Sequence, residues 1–100
     1  MKRNIKNVAV LGSGVMGSAI ACHFANVGLN VILLDIVPKE AENTTDKKLR
    51  NSIVDQALMK ALKAKPSPIY NKRFAKRIKT GNMTDDMALL SECDWIIEVV

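Results

Sequence analysis

Three glycines and one aspartate near the N-terminus have the types and spacing that could bind a nucleotide. Gly12, Gly14 and Gly17 form a G-x-G-x-x-G pattern, and Asp35 follows 18 residues after the third glycine. In this pattern the first glycine permits a tight turn, the second allows a pyrophosphate to approach the backbone, and the third allows a helix to pack against a strand. A carboxylate at Asp35 can accept hydrogen bonds from both hydroxyls of a ribose. The pattern therefore predicts a dinucleotide-binding loop.

The residues after the aspartate indicate which dinucleotide is bound. Ile36 and Val37 supply no arginine to neutralise the 2′-phosphate of NADP, so we expect NAD. The helix that follows the loop directs free N–H groups and its positive dipole end at the phosphates. The predicted cofactor site comprises Gly12, Ser13, Gly14, Val15, Met16, Gly17 and Asp35. The competing interpretation is a glycine-rich turn that only packs strand against helix, with Asp35 a solvated strand end.

Apolar strands that alternate with helices must position these residues. We predict strands at Asn7–Leu11, Asn30–Leu34, Arg77–Thr80 and Trp95–Val100, and helices at Gly14–Val27 and Lys47–Lys65. A helical turn is expected near Tyr70 to Lys76, and a further helix is expected to be capped by Thr84 with Asp85 and Asp86 in its first turn. The alternation predicts an α/β fold with a parallel sheet in the order 3-2-1-4, helices on both faces, and a helical excursion between strands 2 and 3.

Length and composition limit the domain organisation. The chain has 100 residues, 48% hydrophobic and 25% charged, which describes one folded domain but falls short of the roughly 150 residues of a complete dinucleotide-binding fold. We therefore expect residues 1–100 to be a partial domain at the front of a longer protein. Because its sheet is left uncovered, the isolated fragment should self-associate or be poorly ordered near its C-terminus. The sequence holds no apolar run of transmembrane length and no signal peptide, so a cytoplasmic protein without membrane contact is expected.

The two cysteines, Cys22 and Cys93, have neither metal-binding nor redox spacing. We expect buried or half-buried thiols in a reducing compartment, and no metal. His23 lies in the first helix, off its main apolar row, and we assign it no role.

A basic stretch accounts for the net charge of +5. No acidic residue lies between Asp55 and Asp85. Eight basic residues lie within twenty positions of this interval: Lys60, Lys63, Lys65, Lys72, Arg73, Lys76, Arg77 and Lys79. This stretch is either a solvated face or a site for a polyanionic small molecule. Nucleic acid is not expected as a partner, because only Tyr70 and Phe74 are interleaved and no nucleic-acid fold signature is present.

Three segments carry a family resemblance. G-S-G-V-M-G-S-A-I-A, G-L-N-V-I-L-L-D and D-W-I-I-E-V-V together resemble the NAD-binding Rossmann domain of 3-hydroxyacyl-CoA dehydrogenases. The resemblance implies an oxidoreductase of fatty-acid metabolism (beta-oxidation) that oxidises (3S)-3-hydroxyacyl-CoA to 3-oxoacyl-CoA with NAD. It further implies an acyl-CoA substrate, a homo-oligomer, and Val99 and Val100 beside the cofactor.

The resemblance also implies where the substrate-binding and catalytic residues lie along the chain. Lys60, Lys63 and Lys65 would meet the phosphates of CoA on the helical excursion. The catalytic histidine–glutamate pair of the family would lie beyond Val100, so we expect no catalytic residue among these 100 and an inactive fragment. Two alternatives stay open: the NAD-binding domain of a dehydrogenase for a free hydroxy acid, and a dinucleotide-sensing module without chemistry.

Overall fold

Four parallel strands form one sheet in the computed structural model of the chain, which describes residues 5–64 and 68–99. Their order is β3-β2-β1-β4, which confirms the predicted topology. The strands are β1 (Asn7–Leu11), β2 (Asn30–Asp35), β3 (Ile78–Asn82) and β4 (Trp95–Glu98). The first strand in the sequence is thus an inner strand of the sheet.

The connections between strands are helical. The α-helices are α1 (Val15–Asn26), α2 (Lys47–Arg50) and α3 (Ser52–Lys63). Short 3-10 helices cover Lys39–Ala41, Lys72–Arg77 and Met87–Glu92. The predicted strands and the first helix are confirmed within a few residues.

The core is built on β1 and β2. Val8, Ala9 and Val10 of β1 are all fully buried, and because successive strand residues point to opposite faces, both faces of β1 are covered. On α1, Ala21 and Ala25 are fully buried and α3 contacts the same helix. The small side chains let α1 lie close to the sheet. The loop before α1 therefore lies directly at the end of β1.

The end of α1 anchors the chain that leads into β3. Gly28 has a φ of 98°, and the N–H of Leu29 donates to the carbonyl of Phe24 (3.0 Å), so the helix ends at a left-handed glycine, an end that a glycine just after a helical segment indicates. The amide of Asn26 then donates to the carbonyl of Pro68 (2.8 Å) and accepts from the N–H of Tyr70 (2.9 Å).

The predicted helix at 47–65 is interrupted. Asp46 caps its start, since its carboxylate accepts from the N–H of Lys48 (3.0 Å), but α2 ends at Arg50 and α3 begins after Asn51. The guanidinium of Arg50 donates to the carbonyls of residues 41, 42 and 44 and makes two hydrogen bonds to Asp85. The end of the predicted helix lies outside the described residues.

The prediction that Thr84 caps a helix was wrong. The side-chain oxygen of Asn82 accepts from the N–H groups of Thr84 (3.0 Å) and Asp85 (2.7 Å), so a turn forms there. Only a 3-10 helix follows, at Met87–Glu92, and none of its residues is buried. The backbone carbonyl of Asn82 accepts from the N–H of Asp86 (3.0 Å), which is one of the donors that a Thr84 cap would have used.

Candidate functional site

The predicted loop lies where β1 ends and α1 begins. Gly12 has a φ of 108°, a left-handed conformation that side chains rarely adopt. Its N–H donates to the carbonyl of Leu34 (2.8 Å). The turn is therefore tied to the end of β2, the strand that ends on Asp35.

The other two glycines have different physical reasons. A Cβ on Gly17 would overlap the carbonyl group of Gly12, so the helix can approach the turn only with glycine at this position. A Cβ on Gly14 would meet no atom of the described chain within 4 Å, and the φ of −54° suits any residue. Neither packing nor backbone conformation demands Gly14, which leaves the close approach of a ligand as its explanation.

Asp35 is bound to this loop. Its Oδ2 accepts from the N–H (2.8 Å) and the hydroxyl (2.5 Å) of Ser13, and its Oδ1 accepts from the N–H of Ile36 (2.7 Å). Burial raises the pKa of the Asp35 carboxyl, but the hydrogen bonds from Ser13 and Ile36 outweigh it and hold the pKa below its ordinary value. The carboxylate therefore stays charged at neutral pH.

Ser18 is a residue of the site that the sequence reasoning missed. Its hydroxyl donates to the carbonyl of Ser13 (2.5 Å), and both residues are 1% exposed. A serine inside a helix gives no signal on its own. Its position five residues after Ser13, within the first turn and a half of α1, is the clue that could have found it.

The remaining predicted cofactor residues surround the loop. Val15 and Met16 begin α1 and are 89% and 66% exposed. Val99 is half-buried against the core, and its N–H donates to the carbonyl of Leu11 (2.8 Å), which places it beside the end of β1. Val100 lies outside the described residues. The first-turn N–H groups of α1 have no partner within the helix, so they can act as donors to a phosphate.

A cavity of about 450 Å³ separates the loop from α3. Its walls include Ser13, Gly14 and Val15 on one side and Ala57, Lys60 and Ala61 on the other. Lys60 and Lys63 also line a second cavity of about 560 Å³ with Met59. The predicted basic residues Lys60 and Lys63 are thus exposed neighbours on one face of α3, whereas Lys65 lies outside the described residues.

The basic stretch is divided in space. Arg77 lies with its guanidinium 4.3 Å from the ring centre of Phe74 and donates to the carbonyl of Ala25 (2.6 Å). Arg73, Lys76 and Lys79 are exposed. Arg77 therefore has a structural role at the end of α1.

The thiols match the expectation of buried or half-buried cysteines. Cys22 is fully buried and Cys93 is half-buried, and burial raises the pKa of both. His23 is exposed on α1. Among residues 5–64 and 68–99, no three His, Cys, Asp or Glu side chains come together as metal ligands, and no helix has the length and apolar character needed to cross a membrane.

A glycine turn, a helix N-terminus and a strand-end carboxylate at the carboxyl edge of a parallel sheet define a dinucleotide-binding domain of the Rossmann type. The family model described as "3-hydroxyacyl-CoA dehydrogenase, NAD binding domain" matches residues 7–100. The chain therefore belongs to the family of NAD-binding domains of 3-hydroxyacyl-CoA dehydrogenases, and its cofactor is NAD.

Relatives of known sequence agree with this assignment. A "Probable 3-hydroxyacyl-CoA dehydrogenase" of Bacillus subtilis is 46% identical over 108 aligned positions that cover all of this chain and 14% of that protein. A protein of the same name from Deinococcus radiodurans is 42% identical over 96% of this chain and 26% of its own length. The chain thus spans about a quarter or less of these relatives.

Solved structures of the same class share the fold. The (S)-3-hydroxybutyryl-CoA dehydrogenase of Ralstonia eutropha is 28% identical with a TM-score of 0.55, over 97% of this chain and 31% of that one. The 3-hydroxybutyryl-CoA dehydrogenase of Escherichia coli is 30% identical with a TM-score of 0.53, over 96% of this chain and 19% of that one.

Proposed function

We propose that this chain is the NAD-binding part of an enzyme that oxidises (3S)-3-hydroxyacyl-CoA to 3-oxoacyl-CoA, with residues 1–100 a partial domain. The observation that supports this most is the bond between Ser13 and Asp35, which joins the phosphate-binding and ribose-binding halves of one cofactor site. We infer an acyl-CoA substrate from the family to which the chain belongs. The enzyme would act in the cytoplasm as a homo-oligomer, in fatty-acid oxidation.

Each residue of the site has a separate task in this proposal. The turn at Gly12 and the open backbone at Gly14 admit the pyrophosphate, and the first N–H groups of α1, at Val15 and Met16, donate to its oxygens. Asp35 accepts from the adenosine ribose, and Val99 lies beside the cofactor. When bound, NAD would supply the hydride acceptor for the oxidation at C3 of the substrate. We place the group that takes the hydroxyl proton beyond Val100, so this chain binds and orients the cofactor and does not catalyse the reaction alone.

A comparison of substrates and cofactors tests the proposal on the complete polypeptide that contains this chain. We expect NADH to form when NAD is mixed with a 3-hydroxyacyl-CoA, and no reaction with the corresponding free hydroxy acid. Oxidation of the free acid instead would support a hydroxy-acid dehydrogenase. NADH binding without oxidation of either substrate would support a sensing module.

The choice between NAD and NADP gives a second test. In calorimetric titrations the complete polypeptide should bind NADH more tightly than NADPH, because Asp35 repels a 2′-phosphate. Asp35→Ala should weaken this preference roughly ten- to a hundredfold, since a hydrogen bond to a charged group contributes roughly 1.5–3 kcal/mol. Equal affinities of the unchanged protein for both cofactors would contradict the assignment of Asp35.

We further propose that the phosphates of CoA bind at Lys60, Lys63 and Lys65. Lys60 and Lys63 support this because they are exposed, lie three residues apart on α3, and share a cavity with the apolar side chain of Met59. Lys60 also borders the cavity beside the glycine loop, so a substrate held there would lie near the cofactor.

Charge removal on α3 tests the CoA site. The double change Lys60→Ala, Lys63→Ala should raise the KM for a 3-hydroxyacyl-CoA roughly three- to thirtyfold, at about 0.3–1 kcal/mol for each of the two exposed charges, and leave the Kd for NADH unchanged. The exposed Lys76→Ala change is the control on another segment. An unchanged KM for the double variant would rule out these lysines as CoA ligands.

A further inference from the structure

Ser13 makes contacts that a loop residue does not need for the turn alone. Gly12 already fixes the turn to β2 through its N–H, and the hydroxyl of Ser18 fixes the carbonyl of Ser13 to α1. The side chain of Ser13 instead reaches across to Asp35, 22 residues away, where its hydroxyl and N–H bond to the same oxygen, Oδ2. Ser13 is 1% exposed, so water does not compete for these bonds.

The hydrogen bonds of Asp35 leave one lone-pair site of its carboxylate free to accept from a ligand. An ionised carboxylate has about four lone-pair sites. Ser13 occupies two on Oδ2, and the N–H of Ile36 occupies one on Oδ1. One site on Oδ1 is left to accept one ribose hydroxyl without any rearrangement, whereas bonds from both hydroxyls, as expected from the sequence, would require one of the present donors to move away.

The same bonds prevent the carboxylate from moving. To turn away from an incoming anion, Asp35 would have to break its bonds to Ser13, and one of these is a hydroxyl-to-carboxylate bond of 2.5 Å. Hydrogen bonds to an ionised acceptor are stronger than those between neutral groups. A 2′-phosphate would therefore be repelled by a carboxylate that the Ser13 bonds hold in place.

We propose that Ser13 is a specificity-determining positioning residue whose hydroxyl holds the Asp35 carboxylate in place, so that the site selects NADH over NADPH. This inference rests on the proposed function, because it requires that the loop and Asp35 bind the dinucleotide. Ser13 acts through Asp35 and does not itself distinguish the two cofactors.

The test compares two cofactors and two backgrounds. In the complete polypeptide, Kd values for NADH and NADPH are measured for the unchanged protein, Ser13→Ala, Asp35→Asn and the double variant. Ser13→Ala should lower the ratio of the NADPH Kd to the NADH Kd about tenfold, the effect of one hydrogen bond to a charged group. In the Asp35→Asn background the same change should leave the ratio unaltered.

The Ser18→Ala variant is a control that distinguishes an effect on the position of Asp35 from an effect on the stability of the loop. Ser18→Ala removes a hydroxyl of equal burial that bonds to the Ser13 carbonyl and not to Asp35, so it should weaken both cofactors by the same factor. Ser91→Ala, on an exposed segment, should change neither. If Ser13→Ala does not fold, as judged by circular dichroism, Ser13→Gly removes the same hydroxyl.

The pH dependence of binding gives a readout that a purely structural role would not move. Without the Ser13 hydroxyl, Asp35 should protonate more readily, so NADH affinity should begin to fall at a higher pH than in the unchanged protein. The inference is overturned if the unchanged protein prefers NADH while Ser13→Ala shifts both Kd values equally. A protein that has no NADH preference refutes the proposed cofactor site as well, so the two failures are distinguishable.

Discussion

Gly17 lies against the carbonyl of Gly12, and this contact leaves no space for a side chain. The pair determines how closely α1 can approach the turn, and hence where its first N–H groups lie. Gly14 has no such neighbour. The three glycines of one motif therefore serve two different purposes, which substitutions can separate.

Alanine should lower the stability of the protein at position 17 but hardly change it at position 14. Gly17→Ala should lower the free energy of unfolding by about 1–3 kcal/mol or more, because the Cβ forces the turn and helix apart. Gly14→Ala should change it by less than about 0.5 kcal/mol but weaken NADH binding, because its Cβ meets only a ligand. Urea denaturation and NADH titration measure the two effects, and equal losses of stability would contradict this explanation.

Individual residues differ in how well the sequence predicted them. Gly12, Gly17 and Asp35 belong to a sequence motif whose spacing predicts where each residue lies in the fold. The acceptors of the Ser13 and Ser18 hydroxyls were not predicted, because a serine side chain finds its acceptor only when the turn brings one within reach. Lys60 and Lys63 could be placed on one helix, but their distance from the loop depends on where α3 packs.

At the level of elements, Arg50 joins two connections that are far apart in the sequence. Its guanidinium forms an ion pair with Asp85 (2.7 Å) and bonds to carbonyls in the loop after β2. Hydrogen bonds from Arg50 and then Asn82 lower the pKa of the Asp85 carboxyl to about 2. The pair holds together the segments that leave the carboxyl ends of β2 and β3.

This ion pair should show in the acid stability of the protein. The folded pKa of Asp85 lies below its ordinary value of 3.8, so its contribution is fully present above that value and is lost as the pH falls towards 2. Asp85→Asn should therefore be less stable than the unchanged protein at neutral pH, with a difference that narrows between about pH 4 and pH 2. Thermal melts across this range measure the effect. The exposed Glu40→Gln is the control, and a difference that does not depend on pH would exclude the ion pair as the cause.

Asn26 fixes the end of α1 to the segment before β3. Asn26→Ala removes a donor to the Pro68 carbonyl and an acceptor for the Tyr70 N–H, so we expect a loss of about 1–3 kcal/mol in the free energy of unfolding. Amide exchange at Tyr70 should become faster. The exposed Asn43→Ala is the matched control, and unchanged exchange at Tyr70 would contradict this role.

The elements that the sequence predicted well are those with local signals. The run of apolar residues in β1 and β2 and the glycine after α1 need no distant partner to be recognised. The break at Asn51 was missed, and there Arg50 and Asn51 bond to Asp85 and Asn82, which lie 35 and 31 residues further along the chain. The turn at Asn82 was missed although it is local, because the side-chain oxygen of Asn82 accepts from the N–H groups of Thr84 and Asp85. Periodicity alone could not reveal that side chains would take these donors.

For the whole molecule, β4 is the surface where association is expected. It pairs with β1 on one side, and in the described part of the chain no strand pairs with its other side. Trp95 and Ile96 are 48% and 44% exposed there. An open strand edge with apolar side chains favours pairing with another chain.

The 100-residue chain should therefore self-associate in solution. Light scattering should give an average mass above that of a monomer, and Ile96→Lys should shift it towards the monomer because charge on an edge strand opposes pairing. The exposed Met59→Lys on α3 is the control, with no expected change. A monomer at all concentrations would contradict the proposed role of β4.

The inner position of β1 has a consequence for how the protein is made. Its second neighbour, β4, is preceded by Asp94, which accepts from the N–H of Lys6, 88 residues earlier. At about 5–20 residues per second, a ribosome needs roughly 4 to 18 s to synthesise that interval. During this time β1, α1 and β2 can fold, but one edge of the buried strand β1 stays open. Nascent chains should be most prone to misassembly in this window, and chaperone binding during translation should decline once β4 emerges.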